Sequence, residues 1–117
     1  MARPQRNRKI CSEPKYTSFA PVSASSGRSG EGVVLSVDEY EAIRLIDCIG
    51  LTQEQCAKHM GVARTTVTEI YDKARHKIAL MLIEGRDLKI DGGNYSVCNG
   101  VHPDGEALCT HCMSMLD

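Results

Sequence analysis

The chain has 117 residues, of which 42% are hydrophobic and six are cysteine, with a net charge of −1. That size supports one small core with appendages and excludes two full domains. The longest apolar run, Ile78 to Ile83, is six residues and excludes a transmembrane helix. The arginine-rich start carries no apolar segment of secretory type, so a cytoplasmic protein with no membrane partner is expected, and cysteines in that compartment point to metal, redox chemistry or burial before disulfides.

Charge is distributed unevenly. Residues 1–28 hold Arg3, Arg6, Arg8, Lys9, Lys15 and Arg28 against Glu13, a balance of +5. Residues 29–50 hold Glu31, Asp38, Glu39, Glu41 and Asp47 against Arg44, a balance of −4. Such a dipolar chain can present its basic parts to phosphate.

In chain order, residues 1–32 read as a basic arm and linker, with Pro4 and Pro14 followed by a Ser, Gly and Ala-rich stretch. Order is not expected before residue 33 unless a partner binds it. Val33 to Leu35 is a short apolar lead, after which Ser36 and Glu39 form a capping box that opens a helix to about Ile49, with Gly50 as its stop. Tyr40, Ile43, Leu45, Ile46 and Ile49 supply its apolar stripe.

Leu51 to Ile70 has the spacing of a helix-turn-helix. Thr52 is placed to N-cap the first helix, and Gln55 completes a second capping box. Gly61 suits the positive φ that ends one helix and starts the next. Cys56, Met60, Val62, Val67 and Ile70 fall where the two helices pack together, leaving Ala63, Arg64, Thr65, Thr68, Glu69 and Asp72 outward. Those side chains suit a major groove: Arg64 reaches guanine O6 and N7, Thr65 and Thr68 reach phosphates or thymine methyls, and Glu69 accepts from cytosine N4. A plain helical hairpin needs only the apolar set, not the coincidence of Ala57, Gly61 and that set on one spacing. Ala74, Ile78, Met81 and Leu82 continue the helical period to Glu84, with Gly85 as C-cap. Leu88 to Ile90 is a short strand or extended piece, and the helix-turn-helix domain is assigned to residues 33–93.

Residues 94–117 form a cysteine-rich tail in which Cys98, His102, Cys109 and Cys112 can supply a tetrahedral site. Zinc is its simplest occupant. His111 and Cys11 are rival fourth ligands, and an all-cysteine site suits an iron-sulfur cluster as well. Cys48 and Cys56, inside helices beside apolar positions, read as buried small hydrophobes, and His59 and His76 as surface residues. No phosphate loop, nucleophile elbow or HExxH stands in the chain, so an enzyme is not expected.

The opening ARP, the stretch from Arg8 to Cys11, Glu13-Pro14, VVLSVDEYEAIRL, GLTQEQCAKHMGVARTTV, ARHKIALMLIEG and LKIDGG resemble a family of bacterial and archaeal proteins of unknown function described as predicted DNA-binding. The resemblance covers roughly residues 2–95. It implies a helix-turn-helix like that of sigma factor region 4, docking in the major groove and, in sigma-like versions, touching RNA polymerase. Where the family usually has Ser at the start of the second helix, this chain has Ala63, which removes a hydroxyl cap.

The expectation is therefore an all-α fold, a helix-turn-helix core of three to four helices, in a regulator of transcription that binds double-stranded DNA as a homodimer. Arg64, Thr65, Thr68 and Glu69 would read bases beside Ala63. Thr52, Gln53, Lys73 and Lys77 would hold phosphates, and Arg3, Arg6 and Arg8 in the arm would enter the adjacent minor groove. Rival readings are a sigma-like adaptor docked on RNA polymerase and a metal or redox protein without DNA binding.

Overall fold

Two of the helices begin where the sequence supplies a capping box. The computed structural model describes residues 8–22 and 32–97. Helix α1 spans Val37–Ile43; Ser36 Oγ accepts from the Glu39 amide, and the Glu39 carboxylate accepts from the Ser36 amide at 2.9 Å. Past Ile43 the helix widens into a π-helical stretch, Arg44–Ile49, where the Gly50 and Leu51 amides both donate to the Leu45 carbonyl. Gly50 then ends it at φ 97. An uninterrupted α-helix to Ile49 is thus corrected. So is the burial of Cys48: the wider turn carries more residues per revolution, which keeps Ile46 and Ile49 against the core and leaves Cys48 exposed.

Helix α2, Gln53–Met60, is opened by the Thr52–Gln55 capping box, and helix α3 runs from Arg64 to Glu84 with Gly85 at φ 63 as its cap. Two apolar clusters meet along α3. Ala42, Leu45, Cys56, Ala57, Met60, Val67 and Ile70 form one. Ile10, Val33, Leu35, Val37, Ala74, Leu88 and Ile90 form the other, under the strands. Leu82, assigned to the apolar stripe, is 70% exposed, because the last turn of α3 runs past the elements that cover Ala74, Ile78 and Met81.

The all-α expectation is overturned by the five strands, in two small sheets, found among the described residues. Strand β1 is Arg8–Ile10, β2 Ser18–Phe19, β3 Val33–Leu35, β4 Leu88–Ile90 and β5 Tyr95–Val97. Strand β4 is central in the larger sheet, antiparallel to β2 and parallel to β3, while β1 and β5 form a parallel pair. Strands of two or three residues show no alternation a sequence reader could count, and their hydrogen bonds are made across 50 residues and more.

The absence of order before residue 33 is corrected with them. Residues 8–22 lie on the fold: Ile10 is 1% exposed, a burial worth about 1.5–3 kcal/mol. The Arg8 amide donates to the Asn94 carbonyl at 3.0 Å, the Ile90 amide to the Thr17 carbonyl at 2.8 Å, and the Tyr95 hydroxyl to Glu13 at 3.0 Å. No helix of the described residues is long and apolar enough to cross a membrane.

Candidate nucleic-acid interface

The turn between α2 and α3 is Gly61-Val62-Ala63. Gly61 sits at φ 69 and Val62 donates its amide to the Ala57 carbonyl at 3.0 Å, a Schellman closure that turns the chain without exposing orphaned carbonyls. Cys56, Met60 and Val67 are fully buried between the helices, as their spacing implies. Burial pushes the Cys56 thiol up to about 12, with the nearby Glu41 carboxylate adding to the rise, so it stays a neutral packing group.

Packing the inner stripe of α3 leaves the other side of its first turns clear. Arg64, Thr65 and Glu69 stand exposed there, joined by Lys73 one turn on and by Ala63 and Thr52 at the two helix starts. Ala63 holds the N-cap position of α3 with extended backbone and no side-chain hydrogen bond, so the start of α3 lacks the cap that α1 and α2 both have. Thr68 donates its hydroxyl to Gln53 Oε1 at 2.6 Å, which ties the start of α2 to α3 and engages both side chains. Lys77 donates to Glu39 Oε1 at 2.7 Å, so that lysine clamps α3 onto the cap of α1.

Arg8 is also turned inward, with its side chain 12% exposed and its Nε 3.7 Å from Asp38. It lines a polar cleft of about 250 Å³ between β1, the start of α1 and the flank of α3, whose walls include Asp38, Glu69, Lys73, Gly93 and Asn94. Arg3 and Arg6 lie outside the described residues. So do Cys98, His102, Cys109 and Cys112, and His111 with them; among the described residues no group of His, Cys, Asp and Glu is set to hold a metal ion.

Three features escaped sequence reasoning. The stem of Lys9 packs across the turn, its Cγ lying 3.6 Å from where a Cβ on Gly61 would stand. Glu41 and Arg44 form a buried bidentate pair at 2.8 Å, and Glu41 also accepts from the Cys11 amide at 3.0 Å. Burial by itself lowers the affinity of Arg44 for its proton, but the hydrogen bonds and charge of Glu41, with a contribution from Cys11, reverse this and raise it. On the outer side, the Tyr71 hydroxyl donates to Asp47 at 2.7 Å under Arg75, whose guanidinium lies 5.4 Å from the ring centre. The i,i+3 spacing of Glu41 and Arg44 was the one visible signal, and it does not distinguish a buried pair from a solvated one.

Residues 1–98 match the family described as protein of unknown function DUF134. The chain belongs to the DUF134 family. A UPF0251 protein of Desulfitobacterium hafniense (strain Y51) is 50% identical over 101 residues, covering 86% of this chain and 80% of the relative. A UPF0251 protein of Thermoanaerobacter pseudethanolicus is 45% identical over 97 residues, covering 83% and 81%. A UPF0251 protein of Chlorobaculum tepidum is 40% identical over 115 residues, but the DUF134 chain spans only 58% of its length. No solved structure matches.

Proposed function

We infer that this DUF134 protein binds double-stranded DNA by setting the first turns of α3 in the major groove. What supports this most is the combination of a two-helix unit locked by Gly61 and a fully buried inner stripe with an outer face that holds Arg64, Thr65 and Glu69 exposed. Arg64 is the base reader for guanine, with Glu69 for cytosine and Thr65 for phosphate or a thymine methyl. Thr52 and Lys73, both exposed beside that face, would meet phosphates, and the basic residues Arg3 and Arg6 add charge upstream of β1. Thr68 and Gln53 act through their mutual hydrogen bond, which fixes the angle between the helices, and Lys77 and Arg8 act through their carboxylates. A single unit contacts few base pairs, so a symmetric dimer on paired half-sites is part of this reading.

The test is selection from a random DNA pool followed by salt titration of the selected site. Specific binding should weaken with a slope near −0.9 per phosphate contacted. Arg64→Ala should cost about 1–3 kcal/mol and relax preference at one base position. Equal loss on selected and random DNA would reduce Arg64 to a phosphate contact, and no retained DNA at low salt would defeat the reading.

A further inference from the structure

The polar cleft between β1, the start of α1 and α3 holds several polar groups that the described residues leave unmatched. Asp38 is only 8% exposed, its Oδ1 is buried, and no hydrogen bond reaches that oxygen among the described residues. A buried acceptor without a donor costs free energy, and native proteins seldom keep one. From its own side of the cleft α3 contributes Thr66, Glu69 and Lys73, which lie on one stripe about 10 Å long. Glu69 and Lys73 stand four residues apart, a spacing at which carboxylate and ammonium can pair on a helix. Neither forms an ion pair with the other or with any other described residue, and the Thr66 hydroxyl is likewise without a partner among them. Gly93 keeps one end of the cleft clear: a Cβ there would stand 2.5 Å from Asp38 Oδ1 and 3.0 Å from the Ser36 Cβ.

Charge and size narrow what such a cleft can take. Its walls carry Arg8 and Lys73 against Asp38, Glu39 and Glu69, a balance of −1 with both signs present. That balance disfavours a bare anion such as phosphate, and the two cationic side chains disfavour a polyamine. The volume of about 250 Å³ equals roughly eight waters at their liquid volume and lies below the roughly 300–1,000 Å³ of sites for drug-sized ligands.

We propose that this cleft binds a small zwitterion, a free α-amino acid with a short side chain. Its ammonium group donates to Asp38 and Glu69, and its carboxylate accepts from Lys73 and the Thr66 hydroxyl. The ligand's own side chain rests on Ile70, the apolar residue in the wall contributed by α3. Glu39 is already engaged by the Ser36 amide and by Lys77, and Arg8 stays with Asp38 at 3.7 Å, so the four remaining groups do the binding. Each is supplied with the partner it lacks, and both charges of the ligand are met without a net charge being buried. Glu69 and Lys73 also belong to the face proposed to meet DNA, so an occupied cleft takes two side chains from that face. The site goes beyond the DNA reading and does not rest on it, because its test is made on the protein alone.

The full chain is titrated with L-alanine, L-serine and L-valine by calorimetry, and the site is located by amide chemical shifts. Saturable one-to-one binding of at least one of them is expected, with the largest shifts at Thr66, Lys73, Gly93 and Asn94. Acetate and methylammonium each offer only one of the two charges and should bind at least about tenfold more weakly, while L-tryptophan should be too large to enter. Lys73→Met, at an exposed position where folding is not at stake, should weaken binding about tenfold or more. Asp38→Asn, which keeps the volume, should do the same, and Thr66→Val should cost a smaller factor. The assignment is overturned if none of the three amino acids binds, if the shifts fall away from the cleft, or if Lys73→Met leaves the affinity unchanged. Methylammonium or inorganic phosphate binding as tightly as the amino acid would overturn it as well, by making the cleft a site for a simple ion.

Discussion

The buried hydrophobic residues that cluster with Met60 come from residues 42–70, whereas those that cluster with Ile90 come from residue 10, from residues 33–37 and from positions 74 and 88. The helical cluster closes on contacts made within a few turns of chain. The sheet cluster assembles only when both ends of the described chain return to the same place. Loop closure costs the second more before any burial repays it, so the helical half is the natural candidate to organise first and the sheets to add stability later. Their shared element is α3, whose first turns belong to one cluster and whose later turns, from Ala74 on, belong to the other. Anchored at its far end by the sheets, α3 holds its exposed first turns rigidly, as the DNA contact proposed for them would require.

Breaking the junction between the halves should have the largest effect. Glu41→Gln leaves the buried guanidinium of Arg44 without its counter-charge while keeping the volume, so a loss of about 3–5 kcal/mol in denaturant unfolding is expected. A loss below about 1 kcal/mol would mean that water reaches the pair and screens it.

The sheet half has its own weak point. Gly93 lies at φ 102, and a Cβ there would stand 2.5 Å from Asp38 Oδ1, so Gly93→Ala combines backbone strain with a collision at the start of α1. About 1–3 kcal/mol of destabilisation is expected. Hydrogen exchange should show it first as lost protection at Val37, whose amide donates to the Gly92 carbonyl, with amides of α2 and the first turns of α3 affected least. Uniform loss of protection across both halves would show that the two clusters open as one unit.

The helical half can instead be strengthened. Ala63→Ser restores a side-chain acceptor at the uncapped start of α3 and should add roughly 1 kcal/mol of stability, read as a raised melting temperature. No gain would show that Ala63 has a backbone geometry the hydroxyl cannot use.

The smallest perturbation is chemical. Cys48 is exposed and should be alkylated quickly in the native protein, whereas Cys56, buried with its thiol pushed up to about 12, should react only on unfolding. Equal rates at neutral pH would show that α2 detaches from α3 readily and that the helical cluster is the looser of the two.

Legibility followed the reach of the interactions. Both capping boxes, the glycine stops at 50, 61 and 85, the length of α3 and the burial of Cys56, Met60 and Val67 were readable because each depends on residues three or four positions apart. Cys48 was misplaced because the widening at Arg44–Ile49 changes rotation per residue without any Pro or Gly inside to announce it. Among the DNA candidates, Arg64, Thr65 and Glu69 proved exposed, while Arg8 and Lys77 proved committed to Asp38 and Glu39, partners 30 and 38 residues away.

Taken by itself, the sequence determined the local grammar of this protein: where helices start and stop, which stripe of each turns inward, and that Leu51 to Ile70 forms two helices about a glycine. Periodicity and capping act within a turn or two and survive in any context that buries the stripe. Only the tertiary structure decided that the arm is a strand, that the fold is mixed rather than helical, and that Glu41 and Arg44 lie in the interior with Cys11 beside them. Those outcomes depend on pairing between residues as distant as 10 and 97, where three-residue strands carry no pattern of their own and backbone hydrogen bonds exist only once the partner has arrived.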